Sequence, residues 1–121
     1  MRNWRELIGL ARDAFGFAWG AGRRLARRPY LARIAHGRLP RMLAPQTVYI
    51  LRDDGEDWQA SMHCPCGCGS IIELNLLTDE RPCWHATLEA DMMLTLKPSV
   101  WRHVGCRSHF VMRRGRIVWC G

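Results

Sequence analysis

The sequence predicts a mainly β domain, a small antiparallel sheet, carried behind a helical N-terminal extension. Three observations predict it. The apolar period changes from helical to two near residue 44, turn residues divide the later chain into hairpins, and the charge balance shifts at the same place.

In the extension, Asn3 is placed to cap a helix and Glu6, three residues on, to reach back as in a capping box. Trp4, Ile8, Ala11, Phe15 and Trp19 then recur at helical spacing and make one apolar face, with Arg5, Arg12, Arg23 and Arg27 on the polar side. Gly16, Gly20 and Gly22 weaken the later turns. Pro29 ends or restarts the helix, and a second short helix is expected from there to Gly37. Residues 1–43 hold ten arginines against Glu6 and Asp13, a balance of +8, whereas residues 44–121 hold eight basic and nine acidic residues, a balance of −1. The chain therefore divides into a basic helical arm, 1–41, and a β domain, 42–121. Clustered arginines attract any polyanion, so the arm can take nucleic acid, an acidic partner or an anionic membrane surface, or lay its Trp/Phe stripe on the following domain. The apolar run from Ala14 to Gly22 is too short to span a bilayer, which needs about 20 residues. With no secretory signal in view, a reduced, cytoplasmic protein is expected.

Thr47–Arg52 reads as a strand, Asp53-Asp54-Gly55-Glu56 as a turn, and Trp58–Met62 as the returning strand. Ser70–Leu77, Trp84–Leu88 and Met93–Leu96 make three more, the last interrupted by Pro98. A final hairpin pairs His109–Met112 with Arg116–Trp119 across a turn at Arg114-Gly115, where glycine supplies the positive φ of a tight hairpin.

Six cysteines in so short a reduced chain point to metal ligation. Structural zinc takes four thiolate or imidazole ligands, delivered as pairs from two turns. One turn is Cys64-Pro65-Cys66-Gly67-Cys68-Gly69, and the other is Cys106-Arg107-Ser108-His109 at the mouth of the last hairpin. Cys64, Cys66, Cys68, Cys106 and His109 are thus five candidates for four places around one zinc ion, and the geometry expected is a zinc ribbon. Cys83 and Cys120 lie outside both turns, although Cys120 could replace His109; His63 and His103 neighbour the turns and could orient ligands.

The same motifs carry a resemblance. The Cys64–Gly69 turn, Leu96-Lys97-Pro98-Ser99 with Val100-Trp101-Arg102, and Gly105-Cys106-Arg107-Ser108-His109-Phe110 with Gly115 and Trp119 behind resemble a family of small bacterial proteins designated only as a domain of unknown function. The resemblance spans residues 42–121. It implies an association with bacterial ubiquitin-like conjugation operons, hence a ubiquitin-like protein or its conjugating enzymes as partner, and a peptidase role.

A zinc ion closed by four protein ligands has no open position for water, so peptidase chemistry would fall to a serine. Ser99, after Pro98 at a strand end, is the better candidate over Ser108, with His63, His85 or His103 as base; the pair taken is Ser99 and His103. Glu73 and Glu89 are the carboxylates nearest the motifs. Two functions are carried forward: a zinc-binding protein that recognises and cleaves a ubiquitin-like protein or its conjugates, and a non-enzymatic zinc-ribbon adaptor whose arm binds nucleic acid or another polyanion.

Overall fold

The computed structural model describes residues 28–120, which form eight strands: β1 Leu31–His36, β2 Thr47–Asp53, β3 Glu56–His63, β4 Ile71–Asn75, β5 His85–Leu88, β6 Leu94–Trp101, β7 His109–Arg113 and β8 Arg116–Trp119. They make two four-stranded sheets, ordered β1-β2-β3-β4 and β5-β6-β7-β8. Every pairing is antiparallel except β1 with β2, which run parallel in the register Leu31↔Thr47 to His36↔Arg52. The expected Trp4–Trp19 helix and most of the arm's charge fall outside the described residues.

Alternation along the strands builds a single core between the sheets. Val48, Ile50, Ala60, Met62, Ile72 and Leu74 face inward from the first sheet and meet Leu94, Leu96, Val100, Phe110 and Met112 from the second. Each of these is at most 5% exposed. Burying one such aliphatic or aromatic side chain contributes about 1.5–3 kcal/mol, so this layer holds the sheets together.

Three expectations need correction. The described part of the arm contains no helix, and the short helix placed after Pro29 is instead the strand β1, with Ala32 only 3% exposed in the core. Ala32 and Ile34 share its inward face, but the fully buried position carries only a small side chain, and alanine favours helix when read alone. The long connection after it, residues 37–46, is pinned from both sides: the Ala44 N–H donates to the Tyr49 hydroxyl at 3.0 Å, and His63 Nε2 lies 2.7 Å from the Leu43 carbonyl oxygen. Second, β6 does not stop at Pro98. It runs through to Trp101, and its register with β7 shifts between Leu96 and Val100, so the proline falls in an irregular stretch where no ladder donor is required. Third, the strands form two facing sheets, not one ribbon-like sheet.

The sheets are also joined through the main chain: Ala32 N–H donates to the Met92 carbonyl at 2.8 Å and Tyr30 N–H to the Gly115 carbonyl at 2.7 Å, while within the second sheet Gly115 N–H donates to the Leu94 carbonyl at 2.8 Å. Arg114 and Gly115, with φ of 47° and 76°, form the two-residue turn between β7 and β8, and the first hairpin repeats the device at Asp54 and Gly55, with φ of 53° and 72°. Gly115 has a second reason to be glycine, because a Cβ there would run into the backbone carbonyl oxygen of Tyr30.

This predicts a graded pair of substitutions. Gly37 shares the left-handed conformation, with φ of 78°, but faces open space. Gly37→Ala should therefore cost about 1 kcal/mol from the backbone alone. Gly115→Ala should cost ~3 kcal/mol or more, since a main-chain contact must also give way. Urea denaturation followed by tryptophan fluorescence checks the order; equal losses would show that the Tyr30–Gly115 contact does not hold the sheets together.

Candidate functional site

The turn after β3 and the loop before β7 meet at one end of the molecule. The Cys64 N–H donates to the Ser70 carbonyl at 2.9 Å and the Gly67 N–H to the Cys64 carbonyl at 3.1 Å, which folds Cys64–Ser70 into a knuckle. On the other side, the Arg102 N–H donates to the Ser108 carbonyl at 2.8 Å and closes residues 102–108 into the loop joining β6 to β7. The sulfurs of Cys64, Cys66, Cys68 and Cys106 then all lie within 4.8 Å of one another. Cys64 Sγ is 3.4 Å from Cys66 Sγ and 3.7 Å from Cys106 Sγ.

Those spacings fit a tetrahedral metal. Metal–sulfur bonds of about 2.3 Å set the sulfurs of a tetrahedron ~3.8 Å apart. The thiols also ionise unequally. The Ser108 hydroxyl, 3.1 Å from Cys106 Sγ, is the main cause that lowers the Cys106 thiol to about 6. Hydrogen bonds from the Ser70 backbone and side chain lower Cys68. At Cys66 the Ser108 hydroxyl also lowers the thiol, but its neighbours Cys64 and Cys68 outweigh that and leave it at about 11. Four sulfurs this close resist full ionisation without a cation among them, and a bound dication would supply the missing charge. Arg102 already leans on the cluster, donating from Nη1 to Cys106 Sγ at 3.4 Å and Cys68 Sγ at 3.6 Å.

His109, the fifth ligand candidate, is outside this group of sulfurs. Its Nε2 is 2.9 Å from Ser99 Oγ, within hydrogen-bond reach. The sheet explains the encounter. Val100 and Phe110 are opposite one another and point into the core, so their neighbours Trp101 and His109, also opposite one another, point outward. Ser99, two residues before Trp101 on β6, shares that outer face. Trp101 stacks on the imidazole with ring centroids 4.9 Å apart and planes 14° from parallel, which orients the ring toward the serine. The Ser99 carbonyl accepts from Trp84 Nε1 at 3.2 Å, fixing the serine's backbone, and the His109 carbonyl accepts from the Cys120 N–H at 2.8 Å.

The remaining expected residues take other places. His103 packs on Trp101, ring centroids 4.5 Å apart, and the histidine hydrogen-bonded to Ser99 is His109 instead. Ser108 is 8% exposed, turned toward the sulfurs of Cys64 and Cys106. Glu89 pairs with Arg114 at 2.8 Å. Cys83 Sγ contacts the Trp84 carbonyl at 3.6 Å, away from the four sulfurs. Sequence reasoning missed the contact of Arg102 with the thiols and the pairing of Ser99 with His109. The second was open to inference from alternation across β6 and β7.

No curated protein and no solved structure matches the chain. A family model described as bacterial ubiquitination-like system serine protease (BubE) matches residues 35–120. The association with a bacterial ubiquitin-like pathway expected from the motifs therefore stands, under a protease description in place of a domain of unknown function. Because the match takes in well over half of the sequence and includes the four clustered cysteines, Ser99 and His109, the chain belongs to the family of bacterial ubiquitination-like system serine proteases, BubE.

Proposed function

We propose that the domain is a serine peptidase acting on the ubiquitin-like protein of a bacterial ubiquitination-like pathway, or on its conjugates. The observation that carries the proposal is the 2.9 Å contact between Ser99 Oγ and His109 Nε2 on an outward sheet face that a substrate chain can reach. The family description supports the class of reaction and the pathway.

Ser99 is the nucleophile and His109 its base. As Ser99 Oγ forms a bond to the scissile carbonyl carbon, its proton passes to His109 Nε2. Collapse of the tetrahedral intermediate breaks the carbon–nitrogen bond, and the imidazolium returns that proton to the leaving amine. Water then attacks the acyl ester, giving a proton to His109, which hands it to the Ser99 oxygen as the acid product departs. Trp101 keeps the imidazole plane in place for both transfers.

Cys64, Cys66, Cys68 and Cys106 are the ligands we assign to a zinc ion. With four sulfur ligands its contribution is structural, joining the β3 knuckle to the loop before His109. A site of this kind stays reduced in the cytoplasm, where we place the protein. The nucleic-acid expectation rested on the arm; six of its ten arginines precede residue 28, and the described residues add no support for it.

Two predictions follow from these assignments. Incubated with the ubiquitin-like protein of its own pathway, the chain should shorten or release it, as read by mass spectrometry. Ser99→Ala and His109→Ala should each lower that turnover at least about 1000-fold. Both variants should retain their metal; loss of metal in His109→Ala would return the imidazole to the ligand set, and turnover surviving Ser99→Ala would remove the serine from the chemistry. Separately, purified protein should contain about one zinc per chain, and chelation should unfold it. Cys106→Ser should lose the metal and most of the stability, whereas Cys83→Ser should keep both. Metal-free protein that remains folded would refute the assignment.

A further inference from the structure

Beside Ser99 the second sheet opens into a groove of about 600 Å³, walled chiefly by Thr78, Arg81, Trp84, His85, Lys97 and Pro98. Its place relative to the serine is set by two features. His85 stands opposite Lys97 in the β5–β6 register, two residues along β6 from Ser99, and the Trp84 indole that forms one wall donates to the Ser99 carbonyl at 3.2 Å. The groove thus adjoins the serine through Trp84 and Pro98. Its charge has one sign, since no acidic residue lines it. Arg81 is held there by its own loop, donating from Nη1 to the carbonyls of Thr78 at 2.7 Å and Glu80 at 3.1 Å, so its cation is oriented without being neutralised by an acid. Lys97, the only lysine of the chain, is exposed.

We propose that this groove is a carboxylate subsite that selects the substrate. Lys97 and Arg81 engage a carboxylate of the bound chain next to the bond being cut, while Trp84 and Pro98 cover the carbon stem that bears it. Both cations are exposed on the groove wall, where each offers a carboxylate a charge-assisted contact. A carboxylate can come from an acidic side chain or from a free C-terminus, and both present the same chemistry to the groove. The inference rests on Ser99 as the reacting residue, and the following test keeps the two apart.

The full chain carrying Ser99→Ala is titrated at low ionic strength into four fluorescein-labelled hexapeptides. Ala-Gly-Gly-Glu-Asp-Ala and Ala-Gly-Gly-Gln-Asn-Ala are each made as the free acid and as the C-terminal amide, and anisotropy reports binding. Peptides with a carboxylate should bind about tenfold tighter than the neutral amide, as expected of a charge-assisted contact. If the gain follows Glu and Asp, the source is the side chain; if it follows the free end, it is the terminus. Adding Lys97→Gln and Arg81→Gln should abolish the gain, and Lys97→Arg should preserve it. Removing two cations elsewhere, Arg33→Gln with Arg38→Gln, should leave it intact. Equal affinity for all four peptides, or a preference that survives Lys97→Gln with Arg81→Gln, overturns the subsite. Labelling of the unsubstituted protein with a fluorophosphonate reads Ser99 independently. A labelled serine without a carboxylate preference refutes the groove alone, and a preference without labelling supports the groove and counts against the peptidase reading.

Discussion

Two sheets that turn their apolar faces toward each other must be held in one relative position, and at one end the four thiols bring the two sheets together. Cys64 closes β3 in the first sheet, while Cys106 belongs to the loop leading into β7 of the second. Sulfurs within 4.8 Å of one another repel once ionised, so the cluster is most stable around a positive charge. Arg102 supplies part of that charge from a position next to Trp101. The dependence extends to Ser99 and His109. Residues 102–108 connect the strand of Ser99 to the strand of His109, and the same segment carries Cys106, so the conformation of a short loop is tied both to the sulfur cluster and to the contact of 2.9 Å between serine and imidazole.

The sheet does the rest of the positioning. Strand alternation sends Phe110 into the core and His109 out of it, and cross-strand pairing brings Trp101 beside that imidazole. Pro98 loosens the register of β6 with β7 just before Ser99. In this stretch the backbone is governed by Trp84, whose indole reaches the Ser99 carbonyl, and not by ladder hydrogen bonds. A polar pair built on two adjacent strands is held more rigidly than one built on loops.

Much of this could be read before any coordinates. The hairpins at Asp54-Gly55 and Arg114-Gly115 follow from local turn chemistry, and their strands from alternation, so both were legible. The four cysteines were legible from ligand type and spacing. What escaped depends on contacts distant in sequence. β1 pairs in parallel with a strand beyond a long connection, and its most buried residue is an alanine, so its alternation is only weakly marked. The spacing of His109, three residues after Cys106, groups it with the cysteines, yet β pairing turns its ring to Ser99 on the neighbouring strand. His103, the base expected for Ser99, lies instead against Trp101.

The contact between Tyr30 and Gly115 also fixes where the chain enters the domain. Gly115 lies just beyond one end of β7 and His109 marks the other, so residues 28–30 are anchored at the pole away from the sulfur cluster and the serine. Residues 28–30 therefore stand a strand's length from His109. A probe attached at residue 28 is thus held at the end of β7 remote from His109 and from the four sulfurs.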